Sequence, residues 1–250
     1  MKQTLENFRE LSTNQLFLEY IATETPYTYI RTLQKGTASI LYLLENYQTK
    51  EQVVLKRMRK RTLKRPKYRV RYACECDALQ RLDVPEVPTF LAQGQVSRVP
   101  FQIMQYMPGS TLTRATPYSF NEAFDVVKRV SMILQNIHRQ GFIHHHVTPD
   151  HILIDGHNLS VVGFGHVASL SPHETVPYKI KTIADDIDQL ARLFLALTSD
   201  ATNFKWKKAE GYIMQRPYTP LYQLLKQALQ QQLDVSVASF VDMLQLHISQ

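Results

Sequence analysis

Histidine is concentrated in one part of this chain of 250 residues, where its side chains could do chemistry. Seven of the nine histidines fall within residues 144–173, and residues 143–155 read IHHHVTPDHILID. An imidazole can act as a general base near neutral pH, which makes His146 a candidate. His146 with His151 and a neighbouring aspartate could bind Zn²⁺ or Mn²⁺, but the spacing fits no established zinc pattern. We therefore expect no metal site, and ordinary loop and core roles for most of these histidines.

The histidine-rich run also fits a longer motif. Residues 144–146 (HHH), followed by His151 after four intervening residues, have the spacing of H-R-D-x₄-N, and residues 163–165 (GFG) have that of D-F-G. These motifs belong to the Hanks-type serine/threonine protein kinases, which the chain therefore resembles. The carboxylate or carboxamide of the family is replaced at His146, His151 and Gly163. The resemblance is thus to a pseudokinase, a kinase fold without the chemistry.

Further kinase motifs occur in family order. Lys56, in VVLK, takes the position of the strand lysine that binds the nucleotide phosphates, and Glu75 follows where the next helix supplies the ion-pair partner of that lysine. In IMQYMPG, the resemblance implies that Met104 is the gatekeeper and that Gln105 to Met107 form the hinge that hydrogen-bonds adenine. Asp186, in ADDIDQLARLF, matches the family aspartate that holds the catalytic loop by its backbone amides.

The nucleotide cleft that the resemblance implies keeps few of the residues that the family uses to hold ATP. Where the family has G-x-G-x-x-G-x-V, residues 34–41 keep one glycine, Gly36. Val54 replaces the alanine that lies against adenine, and extra methyls in a packed slot cost ~1 to 3 kcal/mol. Leu153 is a further cleft candidate. Magnesium prefers oxygen ligands, which a histidine and a glycine do not supply, so we expect no cofactor, with weak, metal-independent ATP binding left open.

These motifs require an α+β, bilobal kinase-like fold, with a small antiparallel N-lobe containing one main helix and a larger helical C-lobe. We expect an N-terminal helical segment over residues 1–26, the N-lobe over 27–107 and the C-lobe over 108–250, in one domain overall. The patterns of apolar residues predict strands at Tyr27–Leu33, Ser39–Tyr47, Gln52–Met58, Thr89–Gln95 and Phe101–Tyr106. They predict helices at Tyr68–Leu82, Asn121–Arg139, Thr182–Leu197, Leu221–Gln232 and Val237–His247.

Four positions would, by analogy with assembled kinases, stack across the two lobes: Leu79, Phe90, His144 and Phe164. Such a stack would hold an active-like shape. Ordinary core packing explains the same residue types equally well, because any fold of this kind must fill that space.

The positive charge of the chain is local. Ten of the sixteen residues 56–71 are Lys or Arg and none is acidic, so a chain of net charge +7 leaves 7 − 10 = −3 for the rest. Two interpretations are open: a solvated loop and first helical turn, or a docking patch for nucleic acid, an anionic membrane or an acidic protein. The candidate patch residues are Arg59, Lys60, Arg61, Lys64 and Arg65.

Composition limits the remaining classes. No apolar run approaches the ~20 residues of a membrane span, and the first residues lack the hydrophobic centre of a signal peptide. We therefore expect a cytoplasmic protein, in which Cys74 and Cys76 are reduced thiols.

The sequence thus predicts a non-catalytic regulator or scaffold that binds another protein, such as an active kinase or its substrate. One alternative is an unconventional or residual ATP-dependent protein phosphotransferase that uses Lys56, Glu75 and His146. A second alternative is a basic docking module for nucleic acid or an anionic membrane.

Overall fold

The computed structural model describes residues 2–112, 117–170, 182–199, 205–213 and 219–248, with backbone only for residues 2–9. The chain forms two compact units. The first contains residues 1–80 and 88–107, and the second contains residues 81–87 and 108–250. The short segment 81–87 therefore groups with the second unit, although the sequence places it within the N-lobe.

The first unit is built on one antiparallel sheet of five strands in the order β1-β2-β3-β5-β4. Its elements are α1 (Lys2–Glu24), β1 (Tyr27–Lys35), β2 (Ser39–Asn46), β3 (Gln52–Met58), a 3₁₀ turn (Lys60–Thr62), α2 (Pro66–Arg81), β4 (Phe90–Val96) and β5 (Val99–Gln105).

Alternation along the strands gives this sheet two different faces. One face is apolar and packs on α1, and its buried residues are Ile40, Tyr42, Leu44, Val53, Leu55, Val99, Phe101 and Ile103. The opposite face carries Lys56, whose strand neighbour across the β3–β5 ladder is Gln102. Both side chains bond to α2. The sheet therefore lies between two helices.

The second unit is mainly helical. Its helices are α3 (Phe120–Arg139), α4 (Ile183–Thr198), α5 (Ala209–Ile213), α6 (Pro220–Leu229) and α7 (Val237–Ile248). Its short strands are β6 (Ser110–Thr111), β7 (Phe142–Ile143), β8 (Ile152–Asp155), β9 (Asn158–Val161) and β10 (Ala168–Ser169). Helix α4 is buried on nearly all sides and contacts α3, α6 and α7.

Every strand and helix that the sequence predicts is present, with bounds that differ by no more than three residues. The 3₁₀ turn, α5 and the strands β6 to β10 are too short to give a periodic signal, and the sequence does not predict them. Among the described residues, no helix has both the length and the apolar character needed to cross a membrane.

Candidate functional site

Lys56 and Glu75 form a buried ion pair in the first unit. The Lys56 Nζ lies 2.5 and 2.6 Å from the two carboxylate oxygens of Glu75. The exposed fractions of the two side chains are 13% and 4%. The pair therefore joins α2 to the third strand and is shielded from water, which strengthens it.

Four further cleft candidates of the first unit lie at one end of the sheet or just beyond it. Val54 and Met104 are buried partners across the β3–β5 ladder, and Met107 is buried close behind them in sequence. Gln105 is exposed, and its backbone amide donates to the carbonyl of Thr89 at 2.9 Å. That amide is therefore already hydrogen-bonded to the backbone at the edge of the sheet. Leu153 lies half-buried in β8, in the second unit.

The β1–β2 turn, residues 36–38, is held by the basic segment that follows β3. Arg59 donates to the carbonyl oxygen of Gly36 at 3.0 Å, and Arg61 donates to that of Thr37 at 3.3 Å. Arg59 is the least exposed of the predicted docking residues: its side chain is 19% exposed and its Nε lies 3.6 Å from the carboxylate of Glu10. Its docking role stays a prediction.

The remaining patch candidates are exposed. They are Lys60, Arg61, Lys64 and Arg65, and we refer to these four residues as the basic surface. The surface begins in the 3₁₀ turn and ends just before α2.

Asp186 fixes the path of the histidine loop in the second unit. It is fully buried near the start of α4, and its carboxylate accepts hydrogen bonds from the backbone amides of His144 (3.1 Å) and His145 (2.6 Å). His138 of α3 lies 2.8 Å from the same carboxylate. The hydrogen bonds from these two backbone amides are the contacts that the resemblance implied for Asp186.

His144 is a buried, neutral imidazole. Its Nε2 lies 3.1 Å from the carbonyl oxygen of Val162, and its Nδ1 accepts a hydrogen bond from the amide of His146 at 3.2 Å. A ring that carries its proton on Nε2 satisfies both contacts. Burial lowers the pKa of His144 to about 4, because a charged imidazole would lose its hydration there.

His144 also packs edge-on against Phe164, with ring centroids 4.6 Å apart. These two residues are the members of the predicted stack in the second unit. Leu79 is buried in α2 and Phe90 is half-buried in β4, both in the first unit.

The rings of His146, His151 and His166 form a cluster. The His146 ring is stacked on that of His166, with centroids 4.4 Å apart and planes at 26°. It lies equally close, at 4.4 Å, to the ring of His151. His151 is held in turn by the carbonyl oxygen of His146, 2.9 Å from its Nδ1. Stacked faces do not converge their nitrogens on one point, and the described part of the chain contains no group of three or more His, Cys, Asp or Glu suited to a metal ion.

Gly163 lies directly against the ring of His151. Its φ is +86°, in the region that favours glycine. A Cβ added there would lie 2.4 to 2.7 Å from three atoms of the His151 ring. The imidazole therefore occupies the space that any side chain at position 163 would need.

The comparisons with known proteins agree with this geometry. The family model described as the protein kinase domain matches residues 27–185. This chain belongs to the protein kinase family. The chain is 23% identical over 202 residues to the probable serine/threonine-protein kinase YbdM of Bacillus subtilis, covering 79% of this chain and 78% of YbdM. It is 25% identical over 150 residues to the serine/threonine-protein kinase PrkC of the same organism, covering 58% of this chain but only 23% of PrkC.

The fold is that of a kinase domain. The crystal structure of the Mycobacterium tuberculosis PknI kinase domain matches with a TM-score of 0.68, covering 89% of this chain and 96% of that chain. The sequence identity of 19% supports the fold alone. The α+β prediction, with an antiparallel N-lobe sheet and a helical C-lobe, is confirmed.

Three residues that the motif spacing aligns with site positions of the family meet in one place. The spacing aligns His146 with the catalytic aspartate, and His151 and Gly163 with the two metal ligands. Glycine offers no ligand, and an imidazole nitrogen suits transition metals better than Mg²⁺. The residues present do not fit the Mg²⁺ ions on which kinase phosphoryl transfer depends.

Two groups of residues around the site do not follow from the motifs. His166 joins the imidazole cluster from the segment after the GFG tripeptide. Its only sequence signal is the high number of histidines in this region.

Glu10, on α1, lies outside the residues that match the family model and pairs with Arg57 and Arg59. The alternation of side chains along a strand could have placed Arg57 on the face of β3 opposite to that of Lys56.

Proposed function

We propose that this member of the kinase family is a pseudokinase, which does not transfer phosphate from Mg·ATP. The observation that carries the proposal is the contact between His151 and Gly163. Position 163 offers no ligand, and the imidazole of His151 fills the space that a ligand at position 163 would need. Without the metal, the charge that develops on the transferred phosphoryl group is not compensated, and such stabilisation is worth several kcal/mol.

The internal bonds of the fold support a regulatory or scaffolding role. The Lys56–Glu75 pair still fixes α2 to the sheet, and Asp186 still holds the histidine loop. These contacts organise a kinase fold whether or not it turns over substrate. We also propose a cytoplasmic location, which rests on the sequence alone.

Labelled ATP tests the loss of catalysis. We expect the purified protein, with Mg²⁺ or Mn²⁺, to label neither itself nor a generic protein substrate. Labelling that disappears in Lys56→Met would contradict the proposal and favour the unconventional phosphotransferase, for which the buried Lys56–Glu75 pair is the supporting observation. Loss of that labelling in His146→Ala as well would point to the imidazole as the base.

Nucleotide binding is tested separately. We propose that the protein has no resident cofactor and that any ATP binding is weak and independent of metal. A ligand at about 100 times its dissociation constant raises the free energy of unfolding by about 2.7 kcal/mol. Thermal unfolding with ATP should therefore give the same small shift with and without Mg²⁺, and a shift that requires Mg²⁺ would contradict the proposal.

We further propose that the protein partner offers a short acidic segment to the basic surface. All four side chains of that surface are exposed. The chain outside residues 56–71 carries a net charge of −3. An extended polyanion such as DNA, or a membrane, would meet that acidic remainder, whereas a short acidic peptide would meet the basic surface alone.

Charge reversal tests this surface. Glutamate at all four positions should abolish binding of a poly-glutamate peptide and leave the fold intact. The matched control reverses four exposed lysines of the second unit: Lys205, Lys207, Lys208 and Lys226. Binding should weaken with salt, since charges are screened over ~10 Å at 0.1 M. Stronger binding to duplex DNA, with a slope of about −0.9 per phosphate neutralised, would favour the nucleic-acid alternative, and stronger binding to phosphatidylserine vesicles would favour a membrane.

A further inference from the structure

Helix α1 covers the apolar face of the sheet, although it lies outside the residues that match the kinase family. Its Phe17 and Ile21 are 0% and 1% exposed and belong to the same core cluster as the apolar residues of β2, β3 and β5. The ring of Phe17 meets that of Phe101 edge-on, 5.9 Å away. The helix is therefore part of the core of the first unit.

A charged side chain is buried in this apolar layer. Arg57 of β3 is fully buried, and its Nη1 lies 2.7 Å from a carboxylate oxygen of Glu10 on α1. Its Nε donates to the hydroxyl of Tyr42 at 2.7 Å, and that hydroxyl donates to Asn14 of α1 at 2.6 Å. A buried guanidinium is costly unless it is paired and hydrogen-bonded. In this structure the pairing comes from α1.

The same carboxylate reaches the β1–β2 turn through Arg59. The other oxygen of Glu10 lies 3.6 Å from the Arg59 Nε, and Arg59 donates to the carbonyl oxygen of Gly36. The backbone amide of Arg59 also donates to the carbonyl oxygen of Ala38 at 2.8 Å. A continuous set of contacts thus runs from α1 to the turn.

We propose that α1 is a conformational clamp, in which the Glu10 carboxylate couples docking of the helix to the positions of β3 and the β1–β2 turn. If α1 leaves the sheet, Arg57 keeps its charge in an apolar layer without its carboxylate, so β3 cannot remain in place. Arg59 loses part of its support in the same step, which loosens the turn. The two parts of the first unit that the family uses for nucleotide phosphates, around Gly36 and Lys56, are therefore controlled from the N-terminal helix. This inference does not depend on whether the protein is a pseudokinase.

Amide hydrogen exchange measured by NMR on the full chain tests the clamp. In Glu10→Gln, we expect the amides of β3 and of Arg59 to exchange about tenfold faster, because the neutral carboxamide does not balance the buried charge of Arg57. Amides of α4, in the second unit, should keep their wild-type rates. Glu19→Gln is the matched control, because Glu19 is exposed on the same helix.

Arg59→Gln separates the two branches of the clamp. It should accelerate exchange at its own amide and leave the amides of β3 at wild-type rates, because Arg57 keeps its carboxylate. The proposal is overturned if Glu10→Gln leaves β3 and the Arg59 amide unchanged, or if it accelerates every amide of the chain equally. If Glu10→Gln fails to fold, wild-type exchange at residue 59 in Arg59→Gln overturns it instead.

Discussion

Acidification should destabilise the protein through one buried imidazole, that of His144. Burial lowers its pKa from 6.5 to about 4. The folded state therefore keeps this ring neutral over a pH range in which the unfolded state binds a proton. Stability rises with pH wherever the unfolded state binds more protons. The contribution of His144 is thus fully present above pH 6.5 and is lost as the pH falls towards 4.

The magnitude follows from the same two values. One pKa unit is equivalent to 1.36 kcal/mol, so the interval from 6.5 to about 4 corresponds to about 3 kcal/mol of unfolding free energy. Between pH 6.5 and 5 the contribution of His144 should fall with an average slope of about 1 kcal/mol per pH unit, below the limit of about 1.4 for one full proton. This slope adds to that of any other group that titrates in the range.

His144→Phe isolates the contribution. Phenylalanine keeps an aromatic ring against Phe164, but it leaves the Val162 carbonyl and the His146 amide without their partner, which costs about 1 to 3 kcal/mol at every pH. Urea unfolding from pH 7.5 to 5 should show a variant that is less stable at neutral pH and loses less stability on acidification. His157→Gln, at an exposed histidine, should retain the wild-type slope.

The decisive quantity is the difference between the two slopes, not the stability at one pH. If His144→Phe and the wild-type protein lose stability in parallel between pH 6.5 and 5, His144 is not a buried neutral group. The neutral tautomer inferred from its contacts to Val162 and His146 would then be wrong.

Two further substitutions test the site. Glu75→Ala should lower the unfolding free energy by about 3 to 5 kcal/mol in urea titrations, because it leaves Lys56 charged in a largely buried position. Glu45→Ala is the control: it breaks the pair of Glu45 with Lys50, whose side chains are 32% and 71% exposed, and should lower the unfolding free energy by at most about 1 kcal/mol. Equal losses of unfolding free energy in Glu75→Ala and Glu45→Ala would show that the Lys56–Glu75 pair is not buried. Gly163→Asp should destabilise the protein, since its Cβ meets the His151 ring at a positive φ, and adding His151→Asn should recover part of the loss. Additive effects in that double-mutant cycle would contradict the steric coupling.

Local sequence patterns predicted most of the strands and helices, and the spacing of motifs predicted much of the candidate site. The strands and long helices follow from apolar periodicity, and Lys56, Glu75 and Asp186 occur at motif positions that the structure brings into contact with the expected partners. The residue types at 146, 151 and 163 were also sufficient to expect the loss of Mg²⁺ ligands.

What the sequence could not supply depends on contacts between distant residues. Nothing local indicates that Glu10 would pair with Arg57, which is 47 positions away (57 − 10), or that the His151 ring would fill the space beside Gly163. The lower exposure of Arg59 among the predicted docking residues has a related reason. A run of charges has no periodicity that separates internal from exposed members, so tertiary contacts alone decide which of them face water.

Asp186 binds the histidine loop through main-chain amides, and those donors are the same for every residue type except proline. These two anchoring hydrogen bonds therefore do not depend on the side chains of the loop, although the buried ring of His144 and the φ of 55° at His145 restrict the residue types at those two positions. Substitution at position 146, which takes no part in these two bonds, is thus decoupled from the anchoring of the loop. A lineage could exchange aspartate for imidazole here without passing through an unfolded intermediate, and the loop offers a designer positions at which new side chains can be displayed on a fixed backbone.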